Sequence, residues 1–158
     1  MLGLYLLLQG LYDYFLSPKT SIDTILIELL ISQSENVLTA LNYNLLEPNP
    51  IYVNHLGISG TSGVIIGNPC DGLSLFILYI SFILIFKGKW WFKIIAIGIG
   101  VSLIHILNLI RIISLALIVK YYPNWLDFHH SYTFTLIIYA CIFILWLLRV
   151  KIYQKKEW

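Results

Sequence analysis

Arg111 stands within a long apolar stretch, residues 92–119, which has the length and composition of a membrane helix. A positive charge there costs roughly 2.5–3.5 kcal/mol on insertion scales, so its partners are worth seeking. Two other reactive groups lie at the lips of neighbouring apolar stretches: Cys70, and the adjacent pair His129 and His130. A thiol can act as a nucleophile, a neutral imidazole can take its proton, and a guanidinium can stabilise a developing oxyanion. The spacing is read as one site assembled from three spans.

Each group has a local context. Asn68-Pro69-Cys70-Asp71-Gly72 precedes an apolar run. Asn is a preferred N-cap and Pro suits the first helical position, so Cys70 is expected second in the helix. Backbone N–H groups and the helix dipole favour the thiolate there. Asp71 opposes the thiolate and is given no catalytic role; it reads as a first-turn acid. The plainer reading of Cys70 is a small residue filling a helix start. Ser102, His105, Asn108 and Arg111 recur every third residue, and the last three span about 120° of a helix as a polar stripe. Arg111 would lie about 12 Å below the outer end of its span, within reach of the lip by snorkelling. Its plainer role is pairing with a carbonyl or lipid phosphate during assembly, and His105 and Asn108 read as packing and hydrogen-bonding groups. A histidine at the start of the last span is often just interfacial.

The elements that must position these groups follow from composition. The 158 residues are 59% hydrophobic and 11% charged, with mean hydropathy +0.82. Soluble domains average about 25% charged residues, so this is a chain for lipid. The net charge of +2 points to no nucleic-acid partner, because Lys and Arg cluster beside the apolar stretches. We read an all-α membrane protein, residues 1–158 forming one integral membrane domain. About four transmembrane helices are expected, at residues 2–16, 73–86, 91–119 and 132–148; the first two are short for a bilayer core. Lys87, Lys89 and Lys93, and then Arg149, Lys151, Lys155 and Lys156, fall on one side of such a bundle, which the positive-inside rule makes cytoplasmic. Trp90, Trp91, Trp146 and Trp158 suit interfacial belts.

Residues 17–71 and a short loop at 120–130 then face outward. Ile22, Ile25, Leu26, Leu29, Leu30, Val37, Leu38 and Leu41 recur at helical spacing, with Asp23, Glu28 and Glu35 marking the polar side. That pattern predicts an amphipathic helix lying on the bilayer or packed on the bundle, ended at Pro48-Asn49-Pro50. Residues 51–58 and 64–66 flank Ser59-Gly60-Thr61-Ser62-Gly63, a hairpin-like turn between short extended runs. Cys141 follows His130 by about 16 Å of helix, too deep to reach Cys70, so two free thiols are expected rather than a disulfide. No basic n-region or small-x-small cleavage site marks residues 1–16 as a signal peptide, and the lack of a polar flank leaves the native start open.

At these residues the chain resembles the exosortase/archaeosortase family of membrane-embedded cysteine transpeptidases, in a compact form like those of Bacteroidetes-type bacteria. The resemblance lies in Cys70-Asp71-Gly72 at a span entrance, Asn108-x-x-Arg111-Ile112 late in the next span, and a histidine before the last, and covers residues 53–148. It implies a bacterial cytoplasmic (inner) membrane enzyme with its active site on the extracytoplasmic side. Its partners would be the lipid bilayer and precursor proteins carrying a C-terminal motif, membrane span and basic tail. Carried over, Cys70 is the nucleophile, Arg111 the transition-state stabiliser and His130 the proton carrier, with no cofactor. Departures are Asp71 where many members have Ser or Ala, Ser131-Tyr132-Thr133-Phe134-Thr135 in place of the usual glycine, and the doubled histidine, of which His130 adjoins the helix.

Two other classes compete. A non-catalytic assembly or transport subunit would use Arg111 to bind an anionic partner, although the chain lacks the inverted repeats of secondary transporters. A zinc site from Cys70, His129, His130 and His55 would need ligand-pair spacing that the sequence does not offer.

Overall fold

The computed structural model describes residue 10 and residues 22–47, 54–67, 72–85 and 89–154. The expected first span, residues 2–16, lies outside them apart from residue 10. The described chain is mostly helical. In order it has α1 (Ile22–Ala40), β1 (His55–Leu56), β2 (Val64–Ile65), α2 (Leu73–Ile85), α3 (Trp90–Tyr121) and α4 (Phe134–Gln154).

Helix α1 buries Asp23, Ile27, Leu30, Ser34 and Leu38, steps of three and four that mark one face. That face meets Ile112 and Ala116 of α3, together with Leu56, Ile58 and Ile66 from the extended segment. Two expectations shift here. Asp23 is buried rather than on the polar side, because it lies four and seven residues before Ile27 and Leu30 and so shares their face. Ile25, Leu29 and Val37, expected on the packed stripe, are exposed beside Glu28 and Asn36. The helix packs on the bundle and still presents apolar surface outward.

The predicted hairpin forms, with strands of two residues. His55 stands opposite Ile65 and Leu56 opposite Val64 in antiparallel register. On the far side of β1, Leu45 bridges Ile58, the Leu46 N–H donates to the Gly57 carbonyl at 2.9 Å and the Ser59 N–H to the Asn44 carbonyl at 2.8 Å. The segment is pinned to the end of α3 by Tyr43, whose hydroxyl lies 3.2 Å from that of Tyr121. That hydrogen bond pushes the Tyr43 phenol above its ordinary value, so it stays neutral at physiological pH. The Lys120 ammonium sits 4.6 Å from the Tyr43 ring centre, a cation–π contact across the same junction.

Helices α2 and α3 pack antiparallel across a close approach. The Tyr79 hydroxyl donates to the Ala96 carbonyl at 3.0 Å, and a β-carbon at Gly100 would overlap the Tyr79 ring. Gly98, two residues away, has open space around it. Gly100→Ala is therefore expected to cost roughly 1–3 kcal/mol of stability by overpacking. Gly98→Ala should be neutral or slightly stabilising, since alanine is the better helix former. Thermal unfolding of the two variants in detergent checks the pair.

At the same end, the Lys93 ammonium donates to the Leu84 carbonyl at 2.9 Å, satisfying an end group of α2. Trp146 of α4 meets Phe82 edge-on at 5.7 Å. The end of α2, the start of α3 and the C-terminal half of α4 thus lie at one end of the bundle.

The remaining correction concerns the expected loop at 120–130. Helix α3 runs to Tyr121, and helical backbone resumes at Pro123: a 3₁₀ turn (Pro123–Trp125), a single α turn (Leu126–Phe128) and a π-helical turn (His129–Thr133) lead into α4. Pro123, with its fixed φ, restarts the helix after one connecting residue, Tyr122. Two described helical segments, Trp90–Tyr121 and Pro123–Leu148, are long and apolar enough to cross a membrane; α2 is a shorter apolar helix.

Candidate functional site

The buried face of α3 includes Gly100, Ile104, Asn108, Arg111, Ile112 and Leu115. The expected polar stripe divides across it. Ser102 is exposed. His105 turns to α1, where its Nε2–H donates to Gln33 Oε1 at 2.8 Å. Asn108 and Arg111 alone point inward, at 1% and 9% exposure.

Arg111 lines a cleft of about 410 Å³ with Ser74 and Leu75 from the first turn of α2, and with His130, Ser131, Thr135, Ile138 and Tyr139 from the π turn and α4. His130 is half-buried there, within the electrostatic reach of Arg111 and of Asp127. The structure thus brings Arg111 and His130 together from different helices. Cys70 lies outside the described residues.

Both histidines lie at the start of the π turn, in different surroundings. His129 is held in an aromatic cluster, with ring centres 5.6 Å from Phe128, 6.2 Å from Trp125 and 6.3 Å from Phe134. Its Nδ1 lies 3.1 Å from Thr133 Oγ1. The Phe134 N–H reaches back to the His129 carbonyl, the five-residue step of a π turn. His130 faces the cleft.

The start of α2 agrees with the expected span at 73–86. The helix begins at Leu73, and Gly72 caps it: its carbonyl accepts from the N–H groups of Leu75 and Phe76, both at 3.0 Å. Gly72 has φ +84°, a left-handed conformation that breaks the helical path and that glycine adopts at little cost. The expected placement of Cys70 second in a helix, after Asn68 and Pro69, lies outside the described residues. A β-carbon at Gly72 would come within 3.2 Å of Asn108 Nδ2, so the Asn108 amide packs on the backbone at the mouth of α2.

Several lining residues were not singled out as site groups from the sequence. Ser131 and Thr135 are four apart and face one side of an apolar span, a signal that could have marked them. Ser74 gave none, because its place depends on where α2 begins. Cys141 is a free, half-buried thiol. Among the described residues, no three His, Cys, Asp or Glu side chains converge to hold a metal ion.

Long apolar helices around a buried guanidinium and an imidazole define the class: a helical membrane protein with a polar cleft at one end of its bundle. The chain belongs to the transmembrane exosortase family, whose model, described as Transmembrane exosortase (Exosortase_EpsH), matches residues 2–149. No curated protein and no solved structure matches the chain. Membership makes it a membrane protein of a cysteine peptidase family, and implies substrate proteins that carry sorting signals.

Proposed function

We propose that the protein is a membrane-embedded cysteine protease/transpeptidase that cuts the C-terminal sorting signal of a membrane-anchored precursor. Cys70 is the nucleophile, His130 the proton carrier and Arg111 the oxyanion stabiliser. The observation that carries this reading is the single cleft lined by Arg111 and His130. Gly72, two residues after Cys70 in the chain, packs on Asn108, one helical turn from Arg111.

In the first half-reaction the Cys70 thiol passes its proton to His130, and sulfur adds to the scissile carbonyl carbon. The carbonyl oxygen takes up negative charge opposite Arg111. Collapse of the tetrahedral adduct breaks the C–N bond, and the proton on His130 goes to the departing amine. The product is a thioester on Cys70 and a released span with its basic tail. Water or a surface amine then attacks the thioester, His130 takes the attacking proton, and sulfur leaves.

About four spans hold the site, with residues 2–16 completing the bundle and residues 17–71 on the extracytoplasmic side of the bacterial inner membrane. Lys89 and Lys93 at the start of α3 and Lys151 in the last turn of α4 lie at the opposite end from the cleft, which suits a cytoplasmic location for that end.

The test uses a reporter domain joined by a short randomised junction to an apolar span and a Lys/Arg tail. Reporter release from membranes containing the protein identifies the junctions that are cut. Arg111→Ala is expected to slow release by about 10²–10³-fold, the usual cost of one oxyanion donor. Arg111→Lys should recover only part, because an ammonium keeps the charge and loses the planar fork. Unchanged release by Arg111→Ala at equal protein level would remove Arg111 from the chemistry.

A further inference from the structure

A second cleft, about 580 Å³, lies beside the first, and His130 lines both. One wall is Leu126, Asp127 and His130; the other is the continuous run Ser62, Gly63, Val64 and Ile65, with His55 behind it. Side chains alternate across a strand, so a wall of consecutive residues marks the strand's edge rather than its face.

The hydrogen bonds say which edge. The Ile66 N–H donates to the Asn54 carbonyl at 2.9 Å, and with His55 opposite Ile65 this makes Asn54–Ile66 and Leu56–Val64 the hydrogen-bonded pairs. The N–H and C=O of Ile65 therefore point away from β1. Among the described residues, β1 is flanked on both sides, by β2 and by the bridge to Leu45, whereas β2 has β1 as its sole strand neighbour. Ile65 is 60% exposed, an apolar side chain on an open edge. Such an edge is a template for another strand. The turn behind it is braced by His55, whose Nε2–H donates to the Ser62 carbonyl at 2.8 Å while its ring covers Gly63.

We infer that the outer cleft binds an extended polypeptide, the precursor segment immediately before its membrane span, as an added strand along β2. This rests on the proposed function and specifies how that site holds its substrate. The occupant follows from continuity. The inner cleft continues along α4 to Ile138 and Tyr139, the direction a substrate span must take. The outer cleft opens at the hairpin end, and His130 stands at the junction of the two. A chain passing from one to the other brings a peptide bond past His130. Backbone pairing at Ile65 supplies affinity without reading side chains, and Asp127 opposite gives the cleft a preference for basic or hydrogen-bonding residues.

The test is site-specific photocrosslinking on the full chain in membranes, with a photoreactive phenylalanine analogue at position 65, and the randomised-junction fusion pool as the probe. The expected adducts map to the junction, on the reporter side of the span. Adducts to the apolar span, to the basic tail, to a second copy of this chain or to its own segments overturn the inference, as does the absence of adducts. Crosslinking reads occupancy without turnover, so it separates failure here from failure of the proposed chemistry. Ile65→Pro supplies the kinetic arm, removing an N–H that the β1–β2 ladder does not use. It should slow release roughly threefold to tenfold at limiting precursor, the worth of one hydrogen bond, while the saturated rate and thermal midpoint hold. An unchanged rate at limiting precursor counts against the added strand.

Discussion

Cys70→Ala is expected to leave the precursor uncut while the protein still accumulates in membranes. The loss should be on the order of 10⁵–10⁶-fold, as when the nucleophile of a cooperating catalytic set is removed. Sulfur forms the acyl bond itself, so neither Arg111 nor His130 can substitute for it. The same variant should abolish a hydroxylamine-sensitive adduct between protein and reporter, the signature of a thioester. Normal release by Cys70→Ala would falsify the nucleophile assignment and leave a binding subunit as the better reading. Cys141 offers no alternative, since it stands eleven residues beyond His130 along the helix that carries it.

The second large effect separates the two histidines. His130→Ala should slow release by about 10²–10⁴-fold, the range for loss of a positioned general acid–base group. His129→Phe should leave the rate near that of the unaltered protein, because phenylalanine keeps the ring packing with Trp125, Phe128 and Phe134. Its cost should appear in stability, as loss of the contact with Thr133 Oγ1. Reporter release and thermal unfolding on one preparation of each variant give both readings. If His129→Phe stops release and His130→Ala does not, the roles are reversed and the proposed cleft is the wrong one.

The parts of this fold legible in the sequence were those written in hydrophobic periodicity and in turn chemistry. The apolar stretches gave α2, α3 and α4, the helical spacing of 22–41 gave α1, and Ser59–Gly63 gave the hairpin turn. What was hidden depended on backbone dihedrals and on the choice of buried face. Nothing local to Gly72 in the sequence shows that it takes φ +84° and caps the helix that starts at Leu73. Asp23 carries a polar label in any sequence pattern, yet its helical phase places it with Ile27 and Leu30. The π turn at His129–Thr133 alters the helical phase leading into α4, and no composition rule announces a five-residue step. In the candidate site, Arg111 was conspicuous because charge is rare in such a stretch. Ser74, Ser131 and Thr135 were not, since short hydroxyl side chains fit apolar helices by bonding their own backbone, as Ser81 does to the Ile77 carbonyl at 2.6 Å.

The unequal lengths of the paired helices carry a consequence for substrate choice. The thirteen residues of α2 rise about 20 Å, against a hydrocarbon layer of about 30 Å. With its lower end tied to Lys93 near the basic side, α2 stops roughly a third of the membrane short of the opposite surface. On the proposed function, Arg111 and His130 would then act in a recess below the outer end of α3. A recess of fixed depth works as a ruler: a precursor is admitted when the distance from its cleavable bond to its own anchor matches that depth, whatever residues lie between.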